Sequence, residues 1–287
     1  MGQQILSGLQ AGSWYGVLAL AVVLVLKSTD VPNFAMAATG LAPAYILWML
    51  HDSGPHLPYP VALVIGLATG VVLALVMERA FIRPLLEYSH FATVLMTIGL
   101  MVMVQSAIDL IWSPQPRSIS TPYDATFTVL GQTVTSAEIV SIVVGLALMV
   151  GLRSFFRSAI GIRLEALAED KVTPRLLGVR VSTVLVVAWT LASLVATLAM
   201  TMQAQATVLS SDAASTMIVN GFVAATLGGF SSITGAYVGG LALGVLENLA
   251  GAYIGSGSKS AVALVVVVVV LMVRPQGLFG GLRVREV

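Results

Sequence analysis

The chain has 287 residues, 57% of them hydrophobic and only 9% charged, with a mean hydropathy of +0.97 and a formal net charge of +1. A soluble domain carries about 25% charged residues, so this composition excludes a soluble globule, and the near-zero net charge argues against a nucleic-acid partner. No cysteine is present, which excludes disulfides, thiol catalysis and thiolate metal sites.

In chain order, apolar runs predict spans at about residues 5–26, 33–50, 60–77, 90–111, 137–152, 182–203, 213–230, 235–252 and 260–273. The expected fold class is all-α, a polytopic transmembrane helical bundle of about 8–10 spans with nine as the working count, in one transmembrane domain over residues 1–287. The first run lacks a basic leader and a clear cleavage site and reads as a retained span. The stretches near residues 31–43 and 220–240 are broken by glycine, the pattern of discontinuous helices, which a membrane tolerates only where protein or a cavity satisfies the backbone.

The polar stretch from Ser113 to Ser136 contains three prolines and alternating Thr and Val, which predicts an external loop at about 113–136 with a short strand pair. If the link between the third and fourth runs is cytoplasmic, that side receives Lys27, Arg79, Arg83, the six basic residues from Arg153 to Arg180, Arg274, Arg283 and Arg285. Of the 14 basic residues, this leaves only Arg117 and Lys259 outside, a split that predicts a cytoplasmic C-terminus and, with nine spans, an external N-terminus.

The charge is densest in one segment at about 156–180, which includes "GIRLEALAEDKVTPRLLGVR" and holds eight of the chain's 27 charged residues. Leu164 and Leu167 are three apart and Glu165 and Glu169 four apart, the spacing of a short amphipathic helix with an acidic face, preceded by Gly161 and limited by Pro174. Mixed charge signs suit a protein partner better than an anionic lipid surface, which selects a basic polar face.

This segment resembles the cytoplasmic coupling loop of permease subunits in bacterial ABC importers for branched-chain amino acids, where a pattern close to "G.ALRA.AED...A.LLGI" recurs. "LSGLQAGSWYGVLALA" resembles the opening helix of that family, "FIRPL" at Phe81–Leu85 its basic link, and "TIGLMVMVQS" at Thr97–Ser106 a segment of its next span. "LGGFSSITGAYVGGLALGVLEN" followed by "VRPQGLFG" resembles its C-terminal combination. The motifs stand in order from about residue 6 to 281, and the chain is most similar to the first of the two paired permeases, the LivH-like type. One departure concerns substrate. "NFAMA" at Asn33–Ala37 stands where the family commonly has "NFAHG", and urea and short-amide permeases share many of the motifs, so the solute stays open between branched-chain or related small amino acids and urea or short amides.

The resemblance implies a subunit that does no covalent chemistry and binds no cofactor itself, with ATP and Mg on two cytoplasmic ATPase subunits. It also implies a paralogous permease subunit, an external solute-binding protein, membrane lipid around the spans, and the bacterial plasma (inner) membrane as the location. In agreement, the chain has no GxxxxGK[ST], HExxH or GxSxG. His51, His56 and His90 are isolated in the sequence, which predicts no metal site. Coupling to the ATPase falls to Arg163, Leu164, Glu165, Leu167, Glu169, Asp170, Lys171 and Arg175, with Leu164 and Leu167 anchoring the contact.

A path for a small zwitterion or amide needs polar groups that do not hold it tightly. Asn33, Thr97, Gln105, Gln203 and Asn220 are candidates, with interhelical hydrogen bonding as the other use of such residues, and Glu247 is an acid well inside a late run. An ion-coupled secondary transporter, the competing class, would need an intramembrane carboxylate, for which Asp109 and Glu247 are the candidates. Gly235, Gly239, Gly240 and Gly244 form small-xxx-small pairs and predict close helix packing.

Overall fold

A computed structural model describes residues 1–85, 89–123, 125–129, 132–169, 181–255, 257–274 and 276–280. The first apolar run folds as one helix, α1 (Gly2–Thr29), with no proline to break its ladder; Asp30, in the left-handed conformation at φ 57, closes it through its N–H on the Leu26 carbonyl. It is followed by α2 (Met36–Trp48), α3 (Tyr59–Met77), α4 (His90–Trp112), the strands β1 (Thr126–Val129) and β2 (Gln132–Thr135), and α5 (Ser136–Phe156). Then come the short α6 (Ala159–Glu169), α7 (Val181–Ala206), α8 (Ala213–Gly228), α9 (Ile233–Tyr253) and α10 (Ser258–Val273). Turns of π-helix extend α2 over Met49–Ser53 and α3 over Glu78–Ile82.

α1 is the central post. Over its most apolar stretch it is 78% buried, against 22% for α4 and for α5, so α1 meets protein where α4 and α5 present apolar side chains such as Leu110 and Val143 to the surroundings. Its neighbours α7 and α9 are intermediate, at 61% and 50% buried. The contact with α9 is antiparallel and glycine-to-glycine: Gly8 lies against Val245, Gly12 against Gly240 and Leu241, and Gly16 against Tyr237. A Cβ on Gly12 would sit 2.6 Å from the Gly240 carbonyl oxygen, so only glycine permits this approach. Tyr237 occupies the space that Gly16 and Gly145 leave; its hydroxyl donates to the Ile142 carbonyl on α5 at 3.2 Å and lies 3.2 Å from Ser13 Oγ on α1.

Side-chain and backbone contacts order the chain between two ends. One end, here the basic end, holds Asp30 beside His90, Lys27 beside Glu165, and Arg153 donating to Thr234 at 2.9 Å. The other, the hairpin end, holds Gly2 against Gln132, Asp52 accepting from Ser120 N–H, the Arg117–Leu209 bridge, and Tyr59, Gln205 and Tyr123 in one hydrogen-bonded group. Among the described residues nine helices, all but α6, alternate between these ends, which agrees with nine spans and puts the N-terminus at the hairpin end. Six of these helices are long and apolar enough to cross a membrane alone. α2, α8 and α10 are shorter, at 13, 16 and 16 residues. The described basic residues divide seven to two, with only Arg117 and Lys259 at the hairpin end. The expected strand pair is present as an antiparallel hairpin, Thr126 opposite Thr135 and Val129 opposite Gln132.

The break before α2 is visible. From Asp30, beside the first residue of α4, the chain climbs without helix to Phe34, whose N–H donates to Thr97 Oγ1 at 3.2 Å. Thr97 lies seven residues further along α4, a rise of about 10 Å. Phe34 stacks on Phe222 of α8 with centroids 4.6 Å apart, so residues 31–35 are seated between α4 and α8. The end of α8 is completed from far away in sequence. The N–H groups of Leu278 and Phe279 donate to the carbonyls of Leu227 and Gly228, which a helix terminus otherwise leaves unsatisfied, and Gly229 (φ 93) and Gly277 (φ 80) make the crossing possible.

Candidate functional site

α6 follows α5 after a break at Arg157–Ser158 and turns back on it, because Gly161 has no side chain to collide with the Phe155 carbonyl and Phe156. Leu164 and Leu167 are buried in the chain's own core, while Ile160, Ile162 and Arg163 are exposed. This corrects the expectation that the two leucines anchor an outside contact: they lie at i and i+3 with Gly161, and that stripe is the one used to hold α6 on the bundle. Glu165 is paired with Lys27 near the end of α1, and Lys27 also lies 5.0 Å from the Phe156 ring centroid. An acidic face at Glu165 is thereby neutralised, and the free face at residues 157–163 is apolar and basic. The Glu169 side chain, Asp170, Lys171 and Arg175 lie outside the described residues.

The polar residues expected along a path fall into separate places. Asn33 is buried with Oδ1 accepting from Ala35 N–H at 2.9 Å, and its Nδ2 has no partner among the described residues. Thr97 accepts from Phe34, as above, so both belong to the break before α2. Gln105 ties α4 to the start of α8, donating to the Ser211 carbonyl at 3.1 Å and to Ser215 Oγ at 2.8 Å. Gln203, near the hairpin end of α7, donates to Thr207 Oγ1, and its Oε1 is buried without a described partner. Asn220 and Glu247 come together: both lie close enough to act on the Tyr15 hydroxyl, so α1, α8 and α9 meet at one polar group, with Lys259 near enough to act on Glu247. The four glycines serve two faces of α9. Gly240 and Gly244 meet Gly12 and its neighbours on α1, while Gly235 and Gly239 meet Gly228 and Ala224 on α8.

Two features were not read from the sequence. On α7, Trp189, Thr197 and Thr201 repeat at spacings of four and eight, all buried, and each has a polar side-chain atom without a partner among the described residues. At the hairpin end, Tyr45, Asp109 and Arg117 gather three more such atoms, in residues from α2, α4 and the loop after it. The sequence marks Asp109 only as an intramembrane carboxylate that an ion would need; Tyr45 has no polar neighbour in sequence, so no local pattern singles it out. An apolar cleft of about 300 Å³ between α2, α3 and α4, lined by Pro43, Ile46, Leu73, Met103, Ile108 and Trp112 among others, carries no charge. Its one hydroxyl, Thr69, is engaged by the Gly66 carbonyl, so the cleft offers nothing to a zwitterion. Among the described residues no three His, Asp or Glu side chains are grouped to hold a metal.

A discontinuous second helix, a short amphipathic helix held at one end, and a glycine-sealed central post are now in place. The family model described as "Branched-chain amino acid transport system / permease component" matches residues 4–273. The chain belongs to this permease family. The permease is 28% identical to the high-affinity branched-chain amino acid transport system permease protein BraD of Pseudomonas aeruginosa, over 99% of this chain and 97% of that protein. It is 26% identical to the corresponding protein LivH of Escherichia coli K12, with the same coverage of 99% and 97%. Among solved structures it resembles PsaBC from Streptococcus pneumoniae in complex with Fab, with a TM-score of 0.52 and 13% identity, covering 96% of the permease and 92% of that chain. That likeness concerns the fold alone. The permease is thus a multi-pass membrane transport protein, and its family is one of transport subunits, not enzymes.

Proposed function

We propose that the permease is one half of an ATP-driven importer for branched-chain or related small amino acids in the bacterial plasma membrane, with the basic end in the cytoplasm. The observation that carries this reading is the seat of α6. A helix fixed to α1 and α5 by Gly161, Leu164, Leu167 and the Lys27–Glu165 pair, with Ile160, Ile162 and Arg163 left free, can receive force from a partner and pass it to the central helix. The partner is a pair of cytoplasmic ATPase subunits that bind ATP and Mg; their groove takes the free face of α6, and Glu169, Asp170, Lys171 and Arg175 extend the contact. Closing of the nucleotide sites tilts α6, and α1 carries the tilt through its glycine contact to α9 and through Tyr15 to Asn220 and Glu247. A paralogous permease completes the pore, and an external binding protein delivers the solute to the hairpin end. Substrate class is supported by the relatives named above.

The test is ATP hydrolysis by the co-purified complex in lipid, with the binding protein loaded in turn with branched-chain amino acids, other amino acids, urea and short amides. Stimulation by branched-chain amino acids is expected. Stimulation by urea or amides alone would overturn the substrate reading, and a permease that recovers no ATPase would overturn the role given to α6.

A further inference from the structure

Three of the unsatisfied groups at the hairpin end, in Tyr45, Asp109 and Arg117, share one framework. The Tyr45 ring lies 5.5 Å from that of Trp112, and the Arg117 guanidinium lies 4.9 Å over the Trp48 ring while Nη2 donates to the Trp112 carbonyl at 3.1 Å. The Arg117 backbone is bridged in both directions to Leu209, at 2.9 and 2.8 Å, and Gln105, one turn before Asp109, ties α4 to Ser211 and Ser215. The same ties draw Asp109, one turn beyond Gln105, and Asp212, next to Ser211, to the end of the bundle where Arg117 and Tyr45 meet Trp112. Asp212, at the start of α8, makes no capping bond with its side chain.

Inside the frame, polar capacity is left over. Tyr45 is wholly buried, yet its hydroxyl has no partner among the described residues; the same holds for Asp109 Oδ1 and Arg117 Nε. Nor do the opposite charges neutralise each other, because among the described residues no ion pair joins Arg117 to either aspartate. Folding alone gives no reason to enclose a phenol hydroxyl, one carboxylate oxygen and one guanidinium nitrogen in the same frame without a partner, since each of these atoms loses its water without replacement. A ligand carrying both charges supplies the missing partners.

We propose that this is a receiving site for a zwitterionic head group, in which Asp109 and Asp212 take the ammonium, Arg117 the carboxylate, and the Tyr45 hydroxyl whichever oxygen or N–H remains. It rests on the amino-acid reading above and adds where the solute is first held. Trp48 and Trp112 flank the charges and fix the guanidinium, and the site lies at the hairpin end, the side from which an importer is loaded.

The experiment uses the complete transporter in proteoliposomes with L-leucine carried by the binding protein. Asp109→Asn and Arg117→Gln are each expected to lower uptake about ten- to a hundredfold, the loss of one hydrogen bond to a charged group, with Asp109→Glu restoring part of it. Assembly and melting temperature should not fall for Asp109→Asn, because the carboxylate it removes has an unsatisfied oxygen; a merely structural residue would show the reverse. Ser118→Cys, beside Arg117 in a chain free of cysteine, leaves the charges in place and gives a second measurement. Its labelling by a thiol reagent should slow in saturating L-leucine and not in 4-methylpentanoate, which lacks the ammonium. If the wild type takes up leucine and both charge variants do so equally well, or if labelling ignores leucine, this site is wrong while the importer stands. Uptake of urea and of no amino acid by the wild type would overturn both.

Discussion

Arg83 reaches back to Glu78 with two parallel hydrogen bonds, Nε to Oε1 at 2.8 Å and Nη2 to Oε2 at 3.0 Å, around a carboxylate that is fully buried. Five residues apart, the two would lie on different faces of a regular α-helix; the π turn over Glu78–Ile82 rotates them together. From the sequence, "FIRPL" reads only as a basic link, since the turn that makes it half of an ion pair is not encoded in any standard spacing. Arg83→Met strands the Glu78 carboxylate and is expected to cost up to about 3–5 kcal/mol. Adding Glu78→Met should recover most of that loss in a thermal melt of the purified permease, and a double variant no more stable than the single one would show that the pair has no such role.

For helices as units, α6 makes the sharpest division between an inward and an outward side. Leu164→Ala removes a fully buried side chain and is expected to destabilise the permease by about 2–5 kcal/mol. Ile162→Ala, at an exposed position, should leave the melt unchanged while weakening solute-stimulated ATP hydrolysis of the complex. Equal effects of the two on melting would contradict the assignment of faces. The amphipathic helix itself was legible from Leu164, Leu167, Glu165 and Glu169. Which stripe faces the bundle was not, because a mixed helix of 11 residues offers two plausible contact faces, and the choice was made by Gly161 and by Lys27, 138 residues away from its partner Glu165. α9 gives a second case. Its glycine pairs are evident in sequence, but their partners Gly8, Gly12 and Gly16 on α1 are not. Gly244→Leu is expected to force α1 and α9 apart, with an overpacking cost beyond the usual ~1–3 kcal/mol because the obstacle is backbone, read as loss of folded protein in detergent. Gly99→Leu, where nothing stands within 4 Å, is the control that should be tolerated.

For the molecule as a whole, the nine alternating helices and the seven-to-two division of described basic residues make sidedness testable. With no native cysteine to remove, Thr128→Cys in the hairpin should react with a membrane-impermeant thiol reagent in intact cells, and Ser158→Cys between α5 and α6 only after permeabilisation. The opposite pattern would invert the orientation and place α6 away from any cytoplasmic ATPase.

Hydropathy determined the class and the approximate spans, because burial in lipid constrains each run of residues by itself, while the basic residues that flank those runs give an expectation of sidedness. The hairpin between α4 and α5 was legible for the same reason, from proline and alternating Thr and Val. What only the tertiary structure decided are the meetings of residues distant in the chain: α1 against α9, residues 278 and 279 on the end of α8, Asn220 with Glu247, and Tyr45 with Asp109 and Arg117. A polar residue inside an apolar run has the same local signature whether it is satisfied by a neighbouring helix or left to meet a solute. Only the packing of the helices supplies or withholds its partner.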